Sequence, residues 1–110
     1  MAAYHDEVMV RGTTPLCKWN TTVDLSDLEV MYVTYKQGNY TVEKEKSDCK
    51  FGDSGFEHTL TQDETLGFDS GLRAKHVICQ IRGRFADGTT VASWPPIEVP
   101  VGLILKGGVI

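Results

Sequence analysis

Glycine, proline, asparagine and aspartate interrupt this chain roughly every 8–12 residues, and no stretch between the breaks carries a helical apolar period of ordinary length. A chain punctuated in this way has to build its core from short strands. The clearest is Lys75 to Phe85 (KHVICQIRGRF). Val77, Cys79, Ile81 and Phe85 fall on one face with Gly83 in register, and Ile78, Gln80, Arg82 and Arg84 fall on the other. Such period-two alternation marks a strand with one buried face.

The same reading extends along the chain. Glu7 to Thr13 is a first strand, broken near Gly12 and Pro15. Leu16 to Val23 alternates, with Cys17, Trp19 and Thr21 opposite Leu16, Lys18 and Asn20. Asp24 to Leu28 is a turn or one helical turn, since Asp and Ser cap such pieces. Val30 to Gln37 is rich in β-branched and aromatic residues and is predicted to be a central strand. Gln37-Gly38-Asn39 predicts a tight hairpin into Tyr40 to Lys46, whose dense charge suits an edge. Asp48 to Gly55 is a loop, Phe56 to Thr61 a strand, and Thr61-Gln62-Asp63-Glu64 a capping box opening a short helical turn with Leu66 and Phe68 as its apolar feet. Turns follow at Asp69-Ser70-Gly71 and Ala86-Asp87-Gly88. Thr89 to Trp94 returns, Pro95-Pro96 ends it, and Ile97 to Val101 is a last strand that the prolines confine to an edge or corner. These segments predict an all-β fold: an immunoglobulin-like antiparallel β-sandwich of seven or eight short strands, with a small β-barrel as the alternative. Residues 7–101 would form this single domain, between a flexible segment 1–6 and an apolar tail 102–110.

Composition narrows the partners. The 110 residues match the commonest domain size, and a chain of this length needs no metal or disulfide staple. A net charge of -4 lacks the basic footprint of a nucleic-acid-binding domain, although Arg82 and Arg84 share one strand face. The three cysteines, Cys17, Cys49 and Cys79, lie far apart in the chain without a CxxC, which speaks against zinc. The start MAAYHDEVMV has no basic-then-apolar export signal, and Val101 to Leu105 is too short to span a bilayer. Reduced thiols and no membrane association are therefore expected, and the sequons Asn20-Thr21-Thr22 and Asn39-Tyr40-Thr41 carry no weight.

Each candidate for chemistry has a plainer account. Gly52-Asp53-Ser54-Gly55 spells the nucleophile signature of chymotrypsin-like proteases, but Phe56 stands where those enzymes have another glycine. A triad also needs a His and an Asp beside the serine; His5 lies in the expected loose segment and His58 on an apolar face. A β-turn explains the four residues. His5, His58 and His76 have no metal-ligand spacing, and Asp53, Asp63, Glu64 and Asp69 do not follow the order of a calcium loop. Trp19, Trp94, Tyr32, Tyr35 and Tyr40 are expected mainly in the core, with Trp94 before two prolines the best candidate for exposure. No catalytic, cofactor-binding or metal-binding residue is assigned, no cofactor is expected, and the chain is not expected to be an enzyme. The ending VGLILKGGVI is apolar and glycine-rich. It is either a final strand of this domain or a tail that adds a strand to a partner. Trp94, Leu103, Ile104, Leu105, Val109 and Ile110 are the expected interaction residues.

Four stretches, Val10 to Pro15, Asp24 to Gln37, Leu60 to Phe68 and Ile81 to Ile110, cover most of the chain. In them the sequence resembles a group of small proteins encoded in phages and prophages of gut Gram-positive bacteria. In the last stretch the likeness rests on Arg84, Asp87-Gly88, Ala92-Ser93 and Val99 to Leu105. These are turns, caps and strands, moderately specific and silent on chemistry. Cys17-Lys18-Trp19 is less apolar than that group's pattern. The resemblance implies a β-sandwich component of a virion (head–tail junction, tail or baseplate), and the layout is similar to the N-terminal sandwich module of phage baseplate upper proteins. It further implies a homo-oligomer, or a subunit contacting other phage structural proteins, located in the virion or the host cytoplasm.

Overall fold

The computed structural model describes residues 1, 3–5, 9–70 and 76–110. The alternating segments all become strands: β1 (Ala3–His5), β2 (Met9–Val10), β3 (Leu16–Thr21), β4 (Leu28–Gln37), β5 (Tyr40–Glu45), β6 (Lys50–Phe51), β7 (Gly55–Thr59), β8 (Val77–Phe85), β9 (Thr90–Ala92), β10 (Ile97–Val99) and β11 (Val101–Gly102). A 3₁₀ turn spans Lys46–Asp48, and one short helix, α1 (Gln62–Leu66), sits between β7 and β8.

One sheet runs β1-β3-β7-β6; the other runs β10-β8-β4-β5, with β9 also on β8. Every pair within these two sheets is antiparallel, while β2 and β11 form a separate parallel pair. This is the strand arrangement of an immunoglobulin-type sandwich, and the sheets do not close into the alternative barrel. Packed between them are Trp19, Leu28, Met31, Val33, Tyr35, Phe56, Val77, Cys79 and Ile81, each at most 4% exposed.

Local chemistry explains the corners. Gly38 has φ 57° and no other residue of the β4–β5 turn is positive, the pattern of a type II′ hairpin, which places Gln37 opposite Tyr40. The Thr61 hydroxyl accepts from Glu64 N at 3.1 Å and the Glu64 carboxylate from Thr61 N at 2.8 Å, so the expected capping box is formed. Phe68 is fully buried, whereas Leu66 is only half-buried. Lys44 then ties α1 to β5 through a 2.8 Å ion pair with Glu64.

The strand count exceeds seven or eight for three physical reasons. Ala3–His5, within the segment expected to be flexible, pairs with the free edge of β3. Lys50–Phe51 folds back on β7 inside what was expected to be a loop. Pro100, which has no amide hydrogen, separates β10 from β11. The expected strand Glu7 to Thr13 is also shorter than anticipated: Glu7 and Val8 lie outside the described residues, and β2 ends at Val10 ahead of Gly12 at φ 74°. Gly71 and Lys75, assigned to a turn and a strand start, lie outside the described residues as well.

Along the outer edge of β8, β9 and β10 form one interrupted line. Ala92 is opposite Arg82 and Ile97 is opposite Cys79, so residues 93–96 cover only Gln80 and Ile81. Ser93 stays tied: its N donates to Ile81 O and its hydroxyl accepts from Ile81 N, both at 2.9 Å. The surplus is thrown outward, and Trp94 lies on it, 72% exposed, with its N donating to Met1 O at 2.9 Å.

Candidate functional site

The GDSG residues occupy the hairpin between β6 and β7, where Gly52 N donates to Gly55 O at 2.9 Å and Thr21 N to Ser54 O at 3.1 Å. The final glycine has a packing reason, because a Cβ on Gly55 would lie 1.7 Å from Trp19 O. His58, the histidine nearest in sequence to Ser54, points instead into the sandwich and is 4% exposed.

There it belongs to a buried polar chain. Tyr35 on β4 lies between the sheets; its hydroxyl accepts from Trp19 Nε1 at 3.0 Å and is hydrogen-bonded with His58 Nε2 at 2.8 Å. His5 Nε2 stands 3.3 Å from the same oxygen. His58 Nδ1 reaches Cys49 Sγ at 3.5 Å. Rings surround the group: His5 meets Trp19 edge-on at 5.1 Å and Trp19 stacks on Phe56 at 6.0 Å. Two of the three histidines are thus brought together with a cysteine, a proximity that spacing in the sequence did not indicate.

The electrostatics of the chain are those of a neutral core. Burial, with a smaller contribution from His5, pulls the His58 imidazole down to about 4. Burial, helped by Asp48, pushes the Cys49 thiol up to about 11. A Cys–His nucleophile needs the opposite pair of shifts, a thiol brought down toward neutrality beside a basic imidazole. Burial likewise raises the Tyr35 phenol well above its ordinary value. Cys17 and Cys79 are buried packing residues on β3 and β8. Among the described residues no group of three His, Cys, Asp or Glu side chains is placed to hold a metal ion.

Of the acidic residues named from the sequence, Glu64 has a local duty. Glu64 caps α1; burial pushes its carboxyl upward, but the Lys44 ammonium and the Thr61 donors outweigh this and hold it below the ordinary range. Tyr40 donates to Glu64 O at 2.9 Å and meets Phe68 edge-on at 5.0 Å. A cleft of about 570 Å³ is lined by Glu29, Tyr32, Glu45, Lys46, Cys49 and Phe51 among others.

The expected interaction residues divide. Leu103, Leu105, Val109 and Ile110 are 66%, 98%, 59% and 88% exposed. Ile104 differs: it is half-buried, turned toward Gly12 and Leu66. The backbone of the segment does return to its own domain. Arg11 N donates to Gly102 O at 3.2 Å, and the Gln62 side-chain amide pairs with Ile110, donating to its O at 3.1 Å and accepting from its N at 2.9 Å. The segment is tethered by its main chain while most of its apolar side chains face out.

A further surface emerges only from strand register. On the outer face of the larger sheet, Arg82, Tyr32 and Glu45 stand in one row across β8, β4 and β5. Sequence alternation put Arg82 and Arg84 on a common face but had no means of choosing their neighbours on other strands. Compared with known protein families, with curated proteins and with solved structures, the chain matches none.

Proposed function

We propose that this domain is a non-enzymatic structural or assembly subunit, of the kind found in phage particles, acting through protein–protein contacts. The observation that carries the reading is the C-terminal segment, where four large apolar side chains, Leu103, Leu105, Val109 and Ile110, lie exposed within eight residues. Exposed apolar clusters of this kind are costly in isolation and are characteristic of contact surfaces. The tether at Gln62 keeps the segment close to the domain while leaving those side chains for a neighbour. Virion or host cytoplasm is the proposed location, and the phage assignment rests on the resemblance of the four stretches. The test is light scattering after size exclusion at several concentrations, on the full chain and on a chain ending at Leu103. A discrete oligomer that the truncation abolishes, with the domain still folded, is the expected result. An unfolded truncated product would make the segment part of its own core, and an unchanged oligomer would remove it from the contact.

Trp94 favours a second reading, a binding module for carbohydrate or peptide. An indole 72% exposed on an outward bulge offers a stacking surface. Under this reading Trp94→Ala abolishes binding to a glycan or peptide array without lowering the melting temperature.

A further inference from the structure

The outer face of the larger sheet carries an ordered charge pattern. Three of its five strands present Ile78, Gln80, Arg82 and Arg84 on β8, Tyr32, Thr34 and Lys36 on β4, and Thr41, Glu43 and Glu45 on β5. Across the sheet the rows read Arg82–Tyr32–Glu45 and Gln80–Thr34–Glu43. One flank is basic, the other acidic, and an exposed tyrosine, 39% accessible, stands on the middle strand between them. The flanks are two strand spacings apart, roughly 10 Å. Among the described residues the ion pairs are Lys44–Glu64 and His76–Glu98, so none of those residues forms an ion pair with Arg82, Arg84, Glu43 or Glu45.

We propose that this face is a contact between two copies of the chain, related by a two-fold axis lying in the contact plane along β4. The inference rests on the assembly reading above and names one of its surfaces. Rotation about such an axis carries β8 of one copy over β5 of the other. Arg82 then meets the second copy's Glu45 and Gln80 meets its Glu43, each contact occurring twice. Tyr32 stacks on its own counterpart at the axis. Self-complementarity of this kind is what a two-fold contact requires. Arg and Tyr are also the side chains enriched at the centres of such contacts, and a guanidinium–carboxylate pair can be bidentate. Packed sheets are rotated by about 30° through their twist, so the row at Tyr32 registers best, while Lys36, four residues along β4, diverges from its own counterpart.

Size sets the strength. The face is about 15 Å wide and about 30 Å long by strand spacing and rise, a projected area on the order of 500 Å². A standard contact uses roughly 800 Å² per partner, which makes this a weak, salt-sensitive dimer populated at high concentration.

The test is sedimentation velocity on the full chain from micromolar to near-millimolar concentration, at low and high salt. The expected result is a monomer–dimer equilibrium that salt weakens. Arg82→Glu and Glu45→Arg should each weaken it at least about tenfold by setting like charges opposite one another. An equimolar mixture of the two variants should dimerise again, since each then supplies the charge that the other lacks. Glu45 adjoins the 3₁₀ turn, so melting curves accompany both variants. Tyr32→Lys, which places two ammonium groups at the axis, gives a third test independent of Glu45. A dimer unchanged in Arg82→Glu and Tyr32→Lys would overturn the face and leave assembly to the C-terminal segment. A monomer at every concentration would overturn it too, while the truncation series decides the assembly reading separately.

Discussion

The space around Tyr35 and the segment after Gly102 are opposites. Inside the sandwich, polar groups of Trp19, Tyr35 and His58 are buried, yet each finds a partner within the domain. Outside, apolar side chains of Leu103, Leu105, Val109 and Ile110 are exposed, and the domain provides no cover for them. Buried polar atoms without partners cost about 1–3 kcal/mol each, so a fold must resolve them itself. Exposed apolar atoms can be covered by another molecule. The contrast separates the polar groups that the chain satisfies itself from the apolar surface that it leaves open.

Five experiments break or sharpen that contrast, in falling order of expected effect on stability. Trp19→Ala removes the largest buried side chain and with it the indole donor to the Tyr35 hydroxyl; the expected loss is about 3–5 kcal/mol in urea unfolding. Acid should cost nearly as much. An unfolded histidine titrates near 6.5 and His58 in the fold near 4, so the unfolded chain takes up a proton first. Stability from this residue is therefore fully present above about 6.5, falls as the pH drops from there to about 4, and loses on the order of 3 kcal/mol in total. A His58→Asn chain should show a flatter profile in the same window. Tyr35→Phe keeps the ring but leaves Trp19 Nε1 and His58 Nε2 unpartnered, at about 2 kcal/mol, read as a fall in melting temperature. Thr61→Ala breaks the capping box for about 1 kcal/mol. Leu105→Ser should move stability by no more than about 0.5 kcal/mol while weakening any assembly that light scattering detects. A large destabilisation by Leu105→Ser would erase the contrast.

What could be read in advance followed the range of the interactions. Alternation in Leu16 to Thr21 and Val77 to Phe85 is local, and the buried faces are those the alternation indicates. The capping box at Thr61 and the Gly38 hairpin are equally local, and both formed. Partners far apart in sequence were not legible. β1 was expected to be loose because the first six residues read as polar, and it is ordered by the open edge of β3. Nor did spacing show that His5 and His58 meet one tyrosine, since 52 residues and two sheet crossings lie between them. The exposed apolar ending was visible as composition, but the return of Ile110 to Gln62 was not, because an amide side chain pairing with a terminal backbone leaves no pattern. The same limit hid the row Arg82–Tyr32–Glu45.

The bulge at residues 93–96 has a consequence for crowding. An extended segment approaching the outer edge of the larger sheet meets three residues of β9, then the outward loop with Trp94 and two prolines, then three residues of β10. Growth of a stacked fibre needs a longer uninterrupted template than that, and proline gives none. At the high concentrations where copies of this chain would meet, that edge is a poor seed for amyloid.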